Sequence, residues 1–472
     1  MRTTRQCILS LSMLVGYLFT SPSGADEHKN AAMQPAMMSE QLCHGSLEQL
    51  ALPTLAVTLT REATPAFEYV ATLAEPGDVN EYTRQFFESG TSPTTTYILS
   101  FTHQGLRQFA RLDLPEGADK TTPLIVYNHG YVGYPASIDF KLAYDIDSMS
   151  GEFIASWVEA GFAVLSPGYR GHGTFLEQPS DGAEFLELWD MGSAYLTPTF
   201  YAMDILAAVR ALPSLPRVIP PGKVPKIDRI ALIGHSQGGD ATLTALALDA
   251  LQRASNQSKN MGPKIVAGSL WAGCVGDRLA QLELYNAVKS RSAFLAGDDI
   301  WRQSAIGATG QINPDYRWPW PQPWTEMKLG SDGHYEFADA QLTENSVIEQ
   351  IESARQRLLN TVQQCSPNDD LSGAAEKVRD ASGYRYAQHI EIPMHLHSSD
   401  QDYYSPPQWN EELADRLKAA GTEATFFLHP ATTHALKVSE KKWFSPATTR
   451  DGLSAAIKQD AALFRSAIFV EN

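Results

Sequence analysis

The apolar residues of this chain fall in short runs that alternate with longer segments of helical spacing. Strands are predicted for the short runs at 124–127, 162–165, 230–233, 264–270, 392–396 and 424–428. Helices, with apolar residues three and four positions apart, are predicted at 151–160, 201–212, 241–251, 408–419 and 452–468. Because apolar strands alternate with helices, we expect a mostly parallel central sheet that is covered by helices on both faces.

An antiparallel hairpin is predicted before the first of these strands. Residues 94–102 are rich in strand formers, residues 103–105 are turn-like, and residues 106–114 alternate loosely between apolar and polar. The preceding residues 26–93 are a loosely patterned leader, and no internal repeat is visible in the chain.

Residues 276–388 interrupt the alternation of strands and helices. They contain no strand of the core type, but they show helical patterns at 279–288 and 345–364 and a segment rich in tryptophan and proline at 315–324. An insertion of this size over the carboxyl ends of parallel strands is typical of a cap or lid. The tryptophans either line an acyl or aromatic pocket or pack the cap onto its base.

The N-terminus has the pattern of a signal peptide. Arg2 and Arg5 form a basic start, residues 7–19 are apolar but too short to span a bilayer comfortably, and residues 23–25 are small. Cleavage after Ala25 would leave no stable membrane span, so we expect a secreted or periplasmic protein, with an uncleaved anchor as the alternative. The predicted division of the chain is a signal peptide at 1–25, a leader at 26–93, a catalytic domain at 94–275 and 389–472, and a helical cap at 276–388.

The charge balance of the chain is acidic. The 472 residues include 37 basic and 54 acidic side chains, which gives a net charge of −17. Removal of the first 25 residues takes away Arg2 and Arg5 and no acidic residue, so 35 basic and 54 acidic residues remain, a net charge of −19. A protein this acidic is a poor candidate for binding nucleic acid or an anionic membrane.

Three cysteines remain after cleavage, at Cys43, Cys274 and Cys365. An oxidising compartment permits one disulfide and leaves one thiol, and the sequence does not choose the pair. Cys274 follows an apolar strand and is expected to be buried. No Cys-x-x-Cys motif and no histidine cluster at metal-ligand spacing is visible, so we expect no metal site.

The segment at 230–239 carries the strongest chemical signal. An apolar strand runs into Gly234-His235-Ser236-Gln237-Gly238, and a helical pattern follows directly. A Gly-x-Ser-x-Gly motif between a strand and a helix is typical of a nucleophile elbow, in which a tight turn exposes the serine hydroxyl. Ser236 is therefore the predicted nucleophile.

A serine hydroxyl needs a base, and the base needs an orienting carboxylate. The strand at 392–396 is followed by Asp400 and Asp402, of which we favour Asp402 because of its spacing to the next helix. The strand at 424–428 is followed by His429 and then by His434, which is placed in the loop beyond the strand and is the predicted base. The resulting order is Ser236, Asp402, His434.

An oxyanion hole needs two backbone N–H donors. One is expected from Gln237, directly after the nucleophile at the start of a helix. The second is expected from the turn after the strand at 124–127, where the N–H of Tyr131 is the first choice and that of Gly130 is the alternative.

These motifs resemble the α/β-hydrolase superfamily. The elbow at 234–239, the turn at 129–130, the stretch at 169–173 and the hairpin that ends at 114–115 are similar to the catalytic domains of prolyl oligopeptidase-like and dienelactone hydrolase-like enzymes. The resemblance covers about residues 94–275 and 385–470. The chain departs from prolyl oligopeptidases because its leader is too short for a β-propeller, and from both groups because the insertion separates Ser236 from Asp402.

The expected activity is that of a serine hydrolase that cleaves small-molecule or lipid carboxylic esters through an acyl-enzyme, without a cofactor. One alternative is a serine aminopeptidase, which would need an anionic group for the substrate amine. The candidates for that group are Glu177, Glu184, Glu187 and Asp190. The other alternative is a member of the fold that binds a partner without catalysis.

Overall fold

The computed structural model describes the greater part of the predicted catalytic domain and part of the leader. The described residues are 50–73, 95–130, 149–171, 174–175, 178–182, 197–255, 261–276, 327–329, 335–337, 371–399, 402, 405, 407–430, 434–436 and 451–470. Within them the helices are α1 (Leu52–Arg61), α2 (Met149–Glu159), α3 (Thr197–Ala211), α4 (Gln237–Ala254), α5 (Leu371–Asp380), α6 (Pro407–Ala419) and α7 (Asp451–Ile468).

The central sheet has nine strands within the described residues. They are β1 (Glu68–Leu73), β2 (Thr95–His103), β3 (Leu106–Leu114), β4 (Pro123–Asn128), β5 (Ala163–Pro167), β8 (Lys226–His235), β9 (Lys264–Trp271), β12 (Met394–Ser399) and β13 (Ala424–His429). Two short antiparallel pairs lie outside this sheet: β6 (Thr174–Phe175) with β7 (Gln178–Pro179), and β10 (Met327–Leu329) with β11 (Tyr335–Phe337).

The nine strands are ordered β1-β2-β3-β5-β4-β8-β9-β12-β13. The neighbours from β5 to β13 in this order all pair in parallel, while β1, β2 and β3 form an antiparallel edge. The α/β fold with a mostly parallel sheet, predicted from the alternation of strands and helices, is therefore confirmed.

The apolar runs in the parallel strands are continuous because both faces of the sheet are buried. Along β4, Leu124 and Val126 belong to one hydrophobic cluster, with α3 and α4, while Ile125 and Tyr127 belong to a second, with α2 and α7. A strand covered on both sides needs apolar residues at every position. This is the physical reason that short uninterrupted runs marked the strands in the sequence.

The predicted hairpin is confirmed, with a tighter turn than the sequence suggested. β2 and β3 pair from Thr95 opposite Leu114 to His103 opposite Leu106, so Gln104 and Gly105 alone form the turn. Their φ values are 53° and 80°. Positive φ at both central residues is typical of the turn that suits the twist of a two-residue hairpin.

Part of the predicted leader is built into the fold. α1 places Leu55 and Leu59 in the same buried cluster as α4, and β1 pairs antiparallel with β2 as the outermost strand of the sheet. The side chains of Arg210 and Gln252 donate hydrogen bonds to the carbonyl oxygens of Leu59 and Ala56 over 2.8 and 3.2 Å. These contacts anchor the helix to the core.

The last part of the predicted cap packs against the core in the same way. A 3-10 helix at Gly383–His389 lies on α4, where the N–H of Gly383 donates to the Thr244 hydroxyl over 3.1 Å. The Thr199 hydroxyl donates to the carbonyl oxygen of Ala381 over 2.6 Å. The two predicted cap helices and the tryptophan-rich segment lie outside the described residues, so the cap remains a prediction.

No helix within the described ranges is long and apolar enough to cross a membrane. The predicted signal peptide lies outside these ranges.

Candidate active site

Ser236 lies at the sharp turn between β8 and α4, as the motif predicts. Its backbone has φ 57° and ψ −125°, and a positive φ is strained for a residue with a side chain. The N–H of Ser236 donates to Trp271 O over 2.9 Å, and its carbonyl accepts from the N–H of Cys274 over 3.1 Å. Hydrogen bonds to the segment at the end of β9 thus hold the strained residue on both sides.

The elbow is tight because glycine occupies the contact points. A Cβ at Gly234 would collide with the carbonyl of Gly238, and a Cβ at Gly238 would collide with the carbonyl oxygens of Asn128 and His129. A Cβ at Gly239 would lie 2.7 Å from the Cα of Gly273. These close approaches let α4 begin directly against the strand ends.

Asp402 and His434 meet at the same edge of the sheet. Asp402 follows β12 and His434 follows β13, and these strands are parallel neighbours. The Nδ1 atom of His434 lies 2.9 and 2.8 Å from the two carboxylate oxygens of Asp402. An imidazole that donates its Nδ1–H to a carboxylate keeps Nε2 as an acceptor.

Both members of this pair are shielded from water. Asp402 is fully buried, and His434 is 7% exposed. The N–H of Ser405 donates to Asp402 Oδ1 over 3.1 Å, which further orients the carboxylate. The structure therefore brings Asp402 to the predicted base, whereas Asp400 lies outside the described residues.

One predicted oxyanion donor lies at the start of α4. Gln237 is the first residue of that helix, and the first N–H groups of a helix have no intrahelical acceptor and point at an incoming anion. Gly130 packs against the nucleophile, because a Cβ at this position would lie 2.9 Å from Ser236 Cβ. Tyr131, the first choice for the second donor, lies outside the described residues.

The turn that leads to Gly130 is held by aromatic residues. The His129 ring stacks on Tyr169 with centroids 4.3 Å apart, and the Tyr169 hydroxyl donates to His129 O over 3.0 Å. Burial lowers the pKa of His129 to about 4, so the ring is neutral at pH 7 and donates its Nδ1–H to Gly130 O over 2.8 Å.

Cys274 lies beside the nucleophile. Its Sγ is 3.9 Å from Ser236 Oγ, and the residue is buried. The burial predicted from the sequence is confirmed. Cys43 and Cys365 lie outside the described residues, so the pairing remains open.

The stretch at 169–173 contributes a structural ion pair. Arg170 contacts Asp204 of α3 with two nitrogens, Nη2 to Oδ1 at 2.7 Å and Nε to Oδ2 at 2.9 Å, and both side chains are fully buried. The acidic residues considered for an amine-binding site, Glu177, Glu184, Glu187 and Asp190, lie outside the described residues.

A second cluster of histidine and aspartate was missed by sequence reasoning. Asp460 of α7 accepts from His395 Nδ1 over 2.8 Å and from His397 Nε2 over 3.0 Å with one oxygen. Its other oxygen accepts from Ser269 and from the Trp271 indole over 2.6 and 2.7 Å. His395 and His397 share a face of β12, but only the docking of α7 brings Asp460 to them.

The atoms of this cluster lie within 4.8 Å of one another, so His395, His397 and Asp460 could hold a metal ion. In this structure the two histidines instead donate hydrogen bonds to the Asp460 carboxylate. Burial would raise the pKa of Asp460, but the neighbouring His397 and the hydrogen bonds from both histidines outweigh it and hold the pKa well below its usual range.

Comparison with known proteins finds similarity in structure but not in sequence. No protein-family model and no curated protein matches the chain in sequence. The rice cell wall degrading esterase LipA from Xanthomonas oryzae is 13% identical, with a TM-score of 0.48, over 85% of this chain and 98% of that one. Esterase B from Lactobacillus rhamnosis is 13% identical, with a TM-score of 0.43, over 82% and 90%.

A puromycin-hydrolyzing peptidase from Mycobacterium tuberculosis is 14% identical, with a TM-score of 0.41, over 78% of this chain. The chain spans 38% of the length of that peptidase. The order of the strands and the serine at the turn between β8 and α4 show, independently of these similarities, that the chain has the α/β-hydrolase fold.

Proposed function

We propose that the protein is a serine hydrolase that cleaves carboxylic esters. The observation that carries the proposal is the contact of His434 Nδ1 with both oxygens of Asp402, at the sheet edge where Ser236 lies at its elbow. Three separate chain segments, each after the end of a strand, supply the nucleophile, the base and the carboxylate that a serine hydrolase needs.

In the proposed reaction His434 Nε2 takes the proton of the Ser236 hydroxyl as Oγ attacks the acyl carbonyl. The C=O electron pair moves onto oxygen, and the N–H of Gln237, together with that of Tyr131, stabilises the oxyanion. The intermediate collapses, the alkoxide leaves with the proton from His434, and the acyl group remains on Ser236.

Water then deacylates the enzyme by the same sequence of steps. His434 removes a proton from water as the hydroxide attacks the acyl carbon, and Ser236 Oγ leaves with that proton. Asp402 stays ionised and stabilises the imidazolium in both halves. The scheme needs no cofactor, and the signal-peptide pattern supports a site of action in the periplasm or outside the cell.

The test uses the mature protein, from residue 26, and two substrate panels. The panels are p-nitrophenyl esters of increasing acyl length and aminoacyl p-nitroanilides with a free amine. We expect turnover of the esters and covalent labelling by a fluorophosphonate, both lost in Ser236→Ala. Ser398→Ala is the matched control, because this serine is buried on β12 and its hydroxyl has no hydrogen-bond partner among the described residues.

Turnover of the anilides, lost in Ser236→Ala, would instead indicate the aminopeptidase. A wild-type protein that is not labelled, beside a known hydrolase that is, would indicate a fold member that only binds a partner.

A further inference from the structure

His235, the residue before the nucleophile, contacts the backbone of the base. Its Nε2 lies 2.9 Å from the carbonyl oxygen of His434, and the two rings have centroids 4.7 Å apart. A carbonyl oxygen can only accept a hydrogen bond, so His235 carries its proton on Nε2. This N–H donates a hydrogen bond to the carbonyl oxygen of His434. The contact joins residues that are 199 positions apart in the sequence.

The His235 ring is enclosed by the residues around it. The side chain is 1% exposed, and Phe153 packs edge-on against it with centroids 5.0 Å apart. Gly130 lies close to another side of the ring, because a Cβ added at Gly130 would be 3.4 Å from His235 Nδ1. Nδ1 has no hydrogen-bond partner among the described residues, so the bond to His434 is the one polar contact that orients the ring there.

The ring is also neutral at ordinary pH. Burial lowers the pKa of His235 well below its usual range, and the nearby His434 lowers it further. A neutral imidazole donates to the carbonyl without placing a second positive charge beside the imidazolium that His434 becomes during the reaction.

We propose that His235 is a positioning residue that fixes the base relative to the nucleophile. Asp402 holds the His434 side chain at Nδ1, and His235 holds its backbone at the carbonyl oxygen. Because His235 and Ser236 are consecutive, this hydrogen bond ties the base loop directly to the nucleophile elbow. The inference rests on the proposed function only as far as His434 acts as a base.

The test compares two substitutions at this position. His235→Phe keeps a planar ring in the buried space but removes the donor, and His235→Gln keeps a side-chain N–H. We expect kcat for a p-nitrophenyl ester to fall on the order of 10²-fold in His235→Phe, with KM within about twofold, since a small displacement of a catalytic group has an effect of this size. His235→Gln should recover a substantial part of this loss.

Phe162→Leu is the control for packing alone. Phe162 is fully buried in the same hydrophobic cluster as Phe153, the residue that packs on His235. Its ring packs on Trp157 and Phe464. We expect it to lower the melting temperature and leave kcat within about twofold. Equal losses of kcat and melting temperature in His235→Phe and Phe162→Leu, with no recovery in His235→Gln, would overturn the positioning role.

A second readout does not depend on turnover. In protein labelled with isotopic histidine, the His434 Nδ1–H that is hydrogen-bonded to Asp402 gives a resolved nuclear magnetic resonance signal, identified with His434→Gln. We expect His235→Phe to shift this signal. An unchanged signal would refute the inference, whereas absent labelling and turnover in the wild type would refute only the proposed function.

Discussion

Asp402 contacts His434 Nδ1 with both carboxylate oxygens and has no exposed surface. At the scale of single residues this contact selects one tautomer of His434, the one that leaves Nε2 free to accept a proton. The positive φ of Ser236 belongs to the sharp turn of the elbow, a geometry typical of turns that present a nucleophilic hydroxyl. The chemistry proposed for the site thus depends on the Asp402 carboxylate, the His434 ring and the backbone conformation of Ser236.

Asp402→Asn should therefore retain the fold and lose most of the activity. An amide NH₂ facing Nδ1 favours the opposite tautomer, which protonates Nε2 and removes the base. We expect kcat to fall on the order of 10³–10⁴-fold, measured with p-nitrophenyl esters. Asp249→Asn is the control, since this buried carboxylate pairs with Arg253 on α4. Activity within tenfold of the wild type would show that Asp402 does not orient the base.

At the scale of elements, α1 and β1 extend the fold beyond the predicted catalytic domain. The sequence did not indicate them for two reasons. α1 contains Pro53 and β-branched residues, which weaken a helical pattern, although proline is tolerated in the first turn. β1 is an edge strand and exposes Tyr69, so it lacks the uninterrupted apolar run of the inner strands.

Leu59→Ala tests whether α1 is part of the stable core. Leu59 is 2% exposed and lies in the cluster with α3 and α4. Truncation of a buried leucine typically destabilises a protein by about 2–5 kcal/mol, and we expect a loss in this range from urea unfolding. Thr58→Ala is the matched control on the exposed face of the same helix. A loss below about 0.5 kcal/mol would mean that α1 is not anchored.

At the scale of the whole molecule, buried histidines link stability to pH in two directions. Burial and the neighbouring His397 lower the pKa of His429 to about 4, and burial lowers that of His129 to about 4. The unfolded chain binds these protons near pH 6.5, so stability falls as the pH is lowered from about 6.5 to 4.

His103 acts in the opposite sense. Burial alone would lower its pKa, but hydrogen bonds with Asp204 and Glu62 outweigh burial and raise it. The contribution of His103 to the free energy of unfolding is complete below pH 6.5. It is lost as the pH rises through the raised pKa of His103. His103 therefore acts above pH 6.5, whereas His129 and His429 act below it.

His429→Gln should reduce the loss of stability on the acid side. A pKa of about 4 instead of about 6.5 corresponds to about 3 kcal/mol between the two pH values. We expect the unfolding free energy of the variant to decline less steeply than that of the wild type from pH 6.5 to 4, measured with urea. His389→Gln, at an exposed position, is the control. Parallel curves for the wild type and His429→Gln would contradict the assignment.

The sequence by itself determined the inner strands, the helices between them, the elbow at Ser236 and the places of Asp402 and His434 after two later strands. These features are local or periodic, so they can be read from neighbouring residues. Only the tertiary structure decided which distant residues meet, as in the contacts of His235 with His434, Arg170 with Asp204, and Asp460 with His395 and His397. Such contacts depend on the strand order and on the docking of α7 and α3, which no local pattern in the sequence reveals.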